Sequence, residues 1–290
     1  MEKAVYSAVL TPFKRDLSID KKLFLEHCEF LLKNKINLAP LGTTGEANSI
    51  SVSEKLDLIK MLAKSDLPKK KIMIGTGNSS HTDAALLTKE AIRRKIYTVL
   101  VLPPFYYKNV SDEGVYQYYK NIIDDVKSKS LRLFLYNIPQ VSGVAISVDL
   151  IQRLKKKYSD IVAGIKDSSG DFENTKLYKN IKNFIVYPGS EKFLMDGLTI
   201  GCSGCISATT NVNIQAAKLI KLYNLPEGEK LNQKVMNVRS IFEKYPVIAA
   251  LKAIKFKENE NWMYIRPPLI SLNIQQRNDL IKDLRNINFL

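Results

Sequence analysis

Short runs of β-branched, aromatic and aliphatic residues alternate along this chain with longer stretches whose apolar positions recur every three to four residues. The runs Val5–Leu10, Ile36–Leu41, Lys71–Gly75, Thr98–Leu102, Leu131–Tyr136, Ile161–Lys166, Ile185–Gly189 and Gly204–Ala208 predict strands. The intervening periodicity predicts helices at Lys21–Lys33, Ser53–Lys64, Asp83–Lys95, Asp112–Val126, Val148–Lys157, Glu173–Ile181, Glu191–Leu198 and Ile214–Leu222. Helix starts carry cap residues, with Ser53 before Glu54, Ser111 before Asp112 and Glu113, and Ser147 before Asp149. Eight strand-helix units call for a parallel sheet, and no early Gly-x-Gly-x-x-Gly turn marks a doubly wound one. The expected fold is therefore an α/β (β/α)₈ TIM barrel over residues 1–225. From about residue 226 the pattern changes: Glu227–Glu243, Val247–Lys257 and Gln275–Asn286 read as helices without strands between them, expected to pack on the barrel as a C-terminal helical layer, 226–290.

Composition alters this picture little. The 290 residues suffice for a large core. No run approaches the ~18 apolar residues of a membrane span, and the N-terminus lacks the layout of a secretory leader, so a cytoplasmic protein is expected. Three cysteines do not make a disulfide framework, and Cys202-Ser203-Gly204-Cys205 finds neither a second pair nor a nearby histidine to complete a metal site. The expectation is no metal and two buried thiols. A net charge of +15 raises nucleic acid or an anionic membrane as partner. Its lysines are spread over nearly every predicted helix without interleaved aromatics, which reads as solvated helix faces and predicts no specific nucleic-acid binding and no membrane association.

Candidate chemistry gathers where the apolar runs stop, the end of a barrel that carries the active site. Lys166 closes the sixth run. A strand-end lysine can snorkel to solvent, yet burial there would disfavour its ammonium and leave an amine able to attack a ketone and form a Schiff base. Gly42-Thr43-Thr44-Gly45 follows the second run and offers permissive glycines, two hydroxyls and consecutive N–H groups, a nest for a carboxylate or else a plain βα turn. Tyr136 ends the fifth run, where it could move a proton or pack in the core; Tyr106 and Tyr107 follow the fourth. Gly189, Ser190 and Glu191 follow the seventh run, and Ile206 and Ser207 fall near the end of the eighth. Together these supply an imine-forming lysine, a proton carrier and an anion nest on one face.

Three segments, Gly42-Thr43-Thr44-Gly45-Glu46, Tyr136-Asn137-Ile138-Pro139 and Gly164-Ile165-Lys166-Asp167, resemble the hallmarks of the dihydrodipicolinate synthase/N-acetylneuraminate lyase superfamily of pyruvate-dependent class I aldolases. The resemblance runs from Thr11-Pro12-Phe13 to the C-terminal helices. It implies an imine between Lys166 and pyruvate, Thr43 and Thr44 on the pyruvate carboxylate, Tyr136 as proton shuttle and Tyr107 inserted into a neighbouring subunit's site. It further implies a homotetramer built as a dimer of dimers and no cofactor. Dihydrodipicolinate synthases usually carry an arginine two residues after the proline of the second segment; here Pro139-Gln140-Val141 places Val141 there. A valine cannot replace a bidentate guanidinium. The segment resembles more closely the lyases of sugar acids, for which Gln140, Glu191 and Ser207 are expected hydroxyl-binding groups. The leading expectation is thus reversible cleavage of a 2-keto-3-deoxy sugar acid to pyruvate and an aldehyde. The rivals are a dihydrodipicolinate synthase, a dehydratase on the same imine, and a non-catalytic basic binding protein.

Overall fold

The computed structural model describes residues 2–290. Its strands are β1 (Ala4–Ser7), β2 (Asn37–Leu38), β3 (Met73–Gly75), β4 (Thr98–Val101), β5 (Arg132–Asn137), β6 (Val162–Asp167), β7 (Ile185–Pro188) and β8 (Gly204–Ser207). β1 lies between β2 and β8, and β3 to β7 follow one another in order, all paired in parallel. A parallel bridge between Leu38 and Ile72 joins β2 to β3. On the other side the Ser203 N–H donates to the Val186 carbonyl at 3.0 Å, tying the start of β8 to β7. The sheet therefore closes into the expected barrel, which leaves it no open edge.

The helices are α1 (Lys21–Lys33), α2 (Val52–Lys64), α3 (His81–Arg93), α4 (Asp112–Val126), α5 (Pro139–Ser142), α6 (Val148–Lys157), α7 (Phe172–Lys179), α8 (Leu194–Thr199), α9 (Leu219–Leu222), α10 (Pro226–Phe242), α11 (Val247–Lys255) and α12 (Ile274–Asn286). Ser111 and Ser147 cap α4 and α6 as expected. The cap of α2 is a correction: it is Ser51, two residues before Ser53, and it forms a capping box with Glu54. The two units after β7 and β8 are also more broken than the periodicity suggests. Each opens with 3₁₀ turns, at Glu191–Phe193 and at Thr209–Asn211 and Ile214–Lys218, before a short α-helix. Side chains of those turns bond to each other, Thr209 donating to Glu191, and helix α5 after β5 was not foreseen.

Core packing falls into three groups. Strand side chains facing the helices build the largest. The barrel interior is filled by Tyr6, Met73, Leu100, Phe134, Tyr187 and Ile206, with Tyr187 edge-on to Tyr6 at 5.5 Å between ring centroids. This aromatic layer is a floor on which chemistry at the C-terminal strand ends can stand. The third group joins α10, α11 and α12 to the barrel, because Val238, Phe242, Leu251, Trp262 and Leu280 bury themselves with Leu10 and Leu23. The C-terminal layer thus shares its core with the first barrel unit. His27 belongs to this seam: its Nε2 lies 2.8 Å from Asn211 Oδ1, and burial, reinforced by nearby Lys255, pushes the ring down to about 3, so it stays neutral. No helix among the described residues is long and apolar enough to cross a membrane.

Candidate active site

β5 and β6 are adjacent and in register, with Tyr136 opposite Lys166 and Asn137 opposite Asp167. Side chains of opposed residues share a face of the sheet, so the Tyr136–Lys166 pair points inward at the C-terminal barrel end. Lys166 Nζ donates to Tyr136 Oη at 3.0 Å and sits 4.1 Å from the centre of the phenol ring. Thr43 Oγ1 lies 3.5 Å from the same Tyr136 oxygen. Lys166 is 5 % exposed, yet its end lines an open cavity of about 740 Å³.

Among the described residues no carboxylate pairs with Lys166. Asp167, its neighbour in sequence, turns to the opposite face. There Oδ1 accepts from Asn137 Nδ2 at 3.0 Å and from the Ser169 N–H at 3.1 Å, while Oδ2 accepts from Thr175 Oγ1 at 2.7 Å. What Lys166 has instead is a phenol. Burial alone would raise the Tyr136 hydroxyl, but the ammonium of Lys166 and hydrogen bonds from Lys166, Thr43 and Ser168 outweigh it and bring the phenol below its ordinary value. A lysine hydrogen-bonded to a tyrosine at the edge of this open cavity can add to a carbonyl and return a proton to the product.

The turn after β2 supplies the third element. Thr43 and Thr44 line the cavity, whereas Gly45 lies under it, its carbonyl accepting from Thr11 Oγ1 at 2.7 Å. A Cβ at Gly45 would meet the Val9 carbonyl oxygen at 2.7 Å, so only glycine lets the turn settle this close to β1. Gly189 is likewise required, since a Cβ there would run into Ser168. Gly189, Ser190, Gln140 and Val141 line the cavity, with Gln140 Nε2 donating to the Ser168 carbonyl and the Val141 side chain half exposed.

Other expected site residues lie elsewhere. Glu191 and Ser207 are fully buried behind the wall and bond to each other; Glu191 also accepts from Thr209 and lies 3.6 Å from Arg239. They brace Arg239 rather than face the cavity, which corrects their expected place as hydroxyl-binding groups. Ile206 is part of the barrel interior. Tyr107 is 73 % exposed, edge-on to Tyr106, and outside the cavity of its own chain. Sequence reasoning missed the outer wall, made by Lys192, Arg239 and Glu243, by Pro246–Ala249, and by Pro268–Ile270. Arg239 donates to Glu243 at 2.9 Å and Lys192 pairs with the same carboxylate. The i,i+4 spacing of Arg239 and Glu243 was visible, but nothing in it says that α10 reaches the barrel mouth.

Cys202 and Cys205 are free and buried; burial raises the first thiol to about 11 and the second well above its usual value, which makes both poor nucleophiles. Among the described residues no group of three His, Cys, Asp or Glu side chains could hold a metal ion.

A parallel barrel with an imine-competent lysine at its C-terminal end defines a class I lyase, an enzyme that works through a lysine Schiff base. The chain belongs to the dihydrodipicolinate synthetase family, whose model matches residues 1–287. It is 31 % identical over 215 residues to the 4-hydroxy-tetrahydrodipicolinate synthase of Archaeoglobus fulgidus, covering 73 % of this chain and 71 % of that one. The crystal structure of dihydrodipicolinate synthase from Agrobacterium tumefaciens superimposes with a TM-score of 0.91 at 27 % identity, over 99 % of this chain and 100 % of that one. A variant of the Sulfolobus solfataricus 2-keto-3-deoxygluconate aldolase does so with a TM-score of 0.88 at 25 % identity, over 98 % and 96 %. The protein is accordingly a pyruvate-dependent class I aldolase or lyase, chemistry that needs no cofactor beyond the lysine.

Proposed function

We propose that this enzyme reversibly cleaves a 2-keto-3-deoxy sugar acid into pyruvate and an aldehyde, with Lys166 as the imine-forming residue. The observation that carries the assignment of Lys166 is its 3.0 Å contact with Tyr136 at the edge of the cavity, without a carboxylate partner. The Lys166 amine adds to the C2 carbonyl, water leaves, and a protonated imine forms. Tyr136 takes the proton of the C4 hydroxyl as the C3–C4 bond breaks. The electron pair moves into the imine, so the aldehyde departs from a neutral enamine instead of a bare carbanion. Protonation at C3 and hydrolysis release pyruvate and free Lys166. The Thr43–Thr44 turn holds the substrate carboxylate, with Thr43 touching Tyr136 as well.

The outer wall supports a hydroxylated aldehyde. Val141 brings no charge to it, and the two wall cations, Lys192 and Arg239, are already engaged with Glu243 and Glu191. Such a wall offers hydrogen-bonding groups rather than a free cation for a second carboxylate. In this reading the subunits assemble as a dimer of dimers in the cytoplasm, and the exposed Tyr107 enters a neighbour's site. Steady-state kinetics test the substrate: pyruvate should condense with glyceraldehyde in preference to aspartate semialdehyde. A clear preference for the semialdehyde would overturn the sugar-acid reading in favour of the synthase.

A further inference from the structure

We propose that Glu46 and Lys252 are positioning residues of the keto-acid site, whose buried ion pair fixes the Thr43–Thr44 turn against the C-terminal layer and so sets where the substrate carboxylate is held. The proposal rests on the reading of that turn as the carboxylate nest. Glu46 directly follows Thr43-Thr44-Gly45 and takes the left-handed conformation, φ 56°, which a glutamate adopts only when its surroundings impose it. Its N–H closes the turn on the Thr43 carbonyl at 3.0 Å. Its side chain leaves the cavity and is wholly buried, where Oε1 pairs with Lys252 and Oε2 accepts from the Arg266 N–H at 3.0 Å.

Each partner leads back to a cavity wall. Lys252 lies on α11, whose first residues Val247, Ile248 and Ala249 line the cavity, and its Nζ also donates to the Tyr264 carbonyl at 2.9 Å and rests 4.5 Å over the Phe13 ring. Arg266 begins the strap that lines the cavity with Pro268, Leu269 and Ile270. Its guanidinium is bound to Glu54 at 2.6 Å, to the Leu17 carbonyl at 2.8 Å and to the Ser49 carbonyl at 2.9 Å. One carboxylate thus joins the turn, the helix and the strap. Thr11 holds the same turn from beneath through Gly45, so Glu46 supplies the restraint in the remaining direction. The groups facing Lys252 are Glu46, the Tyr264 carbonyl, the Phe13 ring and the more distant Arg266 charge. Burial, opposed by Glu46, lowers its ammonium to about 8.

The pair could instead serve stability alone, and the test separates the two roles. The pyruvate concentration that half-saturates borohydride trapping is measured beside the melting temperature for the wild type, Glu46→Gln and Glu46→Asp. Glu46→Gln keeps the shape and loses the charge; Glu46→Asp keeps the charge and shortens the reach. Positioning calls for a half-saturation raised roughly tenfold or more in both, the equivalent of one misplaced charge-assisted hydrogen bond, with the trapped lysine and the extent of trapping at saturating pyruvate unchanged. A half-saturation within about twofold of wild type in either folded variant would overturn the proposal, and so would a rise that disappears when an osmolyte restores the melting temperature. If Glu46→Gln does not fold, Glu46→Asp alone decides. A wild type that pyruvate does not trap at all would strike the functional reading itself, a result distinguishable from unaltered variants of a trappable enzyme.

Discussion

Lys166 and Lys252 are both buried, 5 % and 1 % exposed, and each lies over an aromatic ring, yet the structure treats them in opposite ways. Lys252 has a carboxylate and a backbone carbonyl on its ammonium and borders only a pocket of about 20 Å³, too small for a substrate. Lys166 has one hydrogen bond, to a phenol, and an opening of about 740 Å³. The neighbouring carboxylate that could have neutralised it, Asp167, is drawn off by Asn137, Ser169 and Thr175. Burial therefore does not identify the reactive amine. The discriminating features are a partner that can exchange a proton and room for a ligand, while strand alternation turns Asp167 away from Lys166 to the face where Asn137 and Thr175 hold it.

Breaking each lysine separately should expose the contrast. Lys166→Met is expected to abolish both imine formation and turnover, because among the described residues no other amine contacts Tyr136 or Thr43; residual turnover above background would refute the assignment. Tyr136→Phe should keep the imine and lose turnover by about 10²–10⁴, since only the proton carrier is removed. Lys252→Met should act on stability instead, costing about 3–5 kcal/mol by stranding the Glu46 carboxylate, while Lys166 remains trappable at saturating pyruvate. Denaturant unfolding beside trapping checks both halves of that expectation.

The pH dependence sharpens the comparison further. The Lys252 ammonium titrates near 8 in the folded chain against 10.5 for a free lysine. Below pH 8 both folded and unfolded chains hold its proton; between about 8 and 10.5 the unfolded chain holds it and the folded chain has released it. Stability contributed by this group therefore rises with pH across that window, and the wild-type-minus-Lys252→Met difference in unfolding free energy should rise with it. Smallest in scope is Val141→Arg, which should raise use of aspartate semialdehyde by roughly tenfold to a hundredfold through one added charge-assisted hydrogen bond. No change in semialdehyde kinetics would mean that this wall position does not face the second substrate.

The fold was legible because strand and helix periods differ and repeat: eight apolar runs, each followed by an amphipathic stretch, with cap residues at several helix starts, leave few arrangements. Lys166, Tyr136 and the Thr43–Thr44 turn were legible for a related reason, since a barrel places its strand ends together whatever their separation in sequence. The outer wall was not. Arg239 and Ile270 come to the cavity through the packing of helices on Leu10 and Leu23, and no local pattern encodes how far such a layer extends. Glu191 illustrates the same limit from the other side. It follows a strand as a site residue should, but a 3₁₀ turn directs it behind the wall, toward Ser207, Thr209 and Arg239.

The most direct measurement is reduction of the enzyme with borohydride in the presence of pyruvate, followed by mass-spectrometric mapping of the modified residue. The expected result is one adduct of pyruvate per chain, on Lys166, with Lys252 and the cavity-lining Lys192 unmodified. An adduct on either of those lysines, or none on Lys166, would contradict the assignment of the reactive amine.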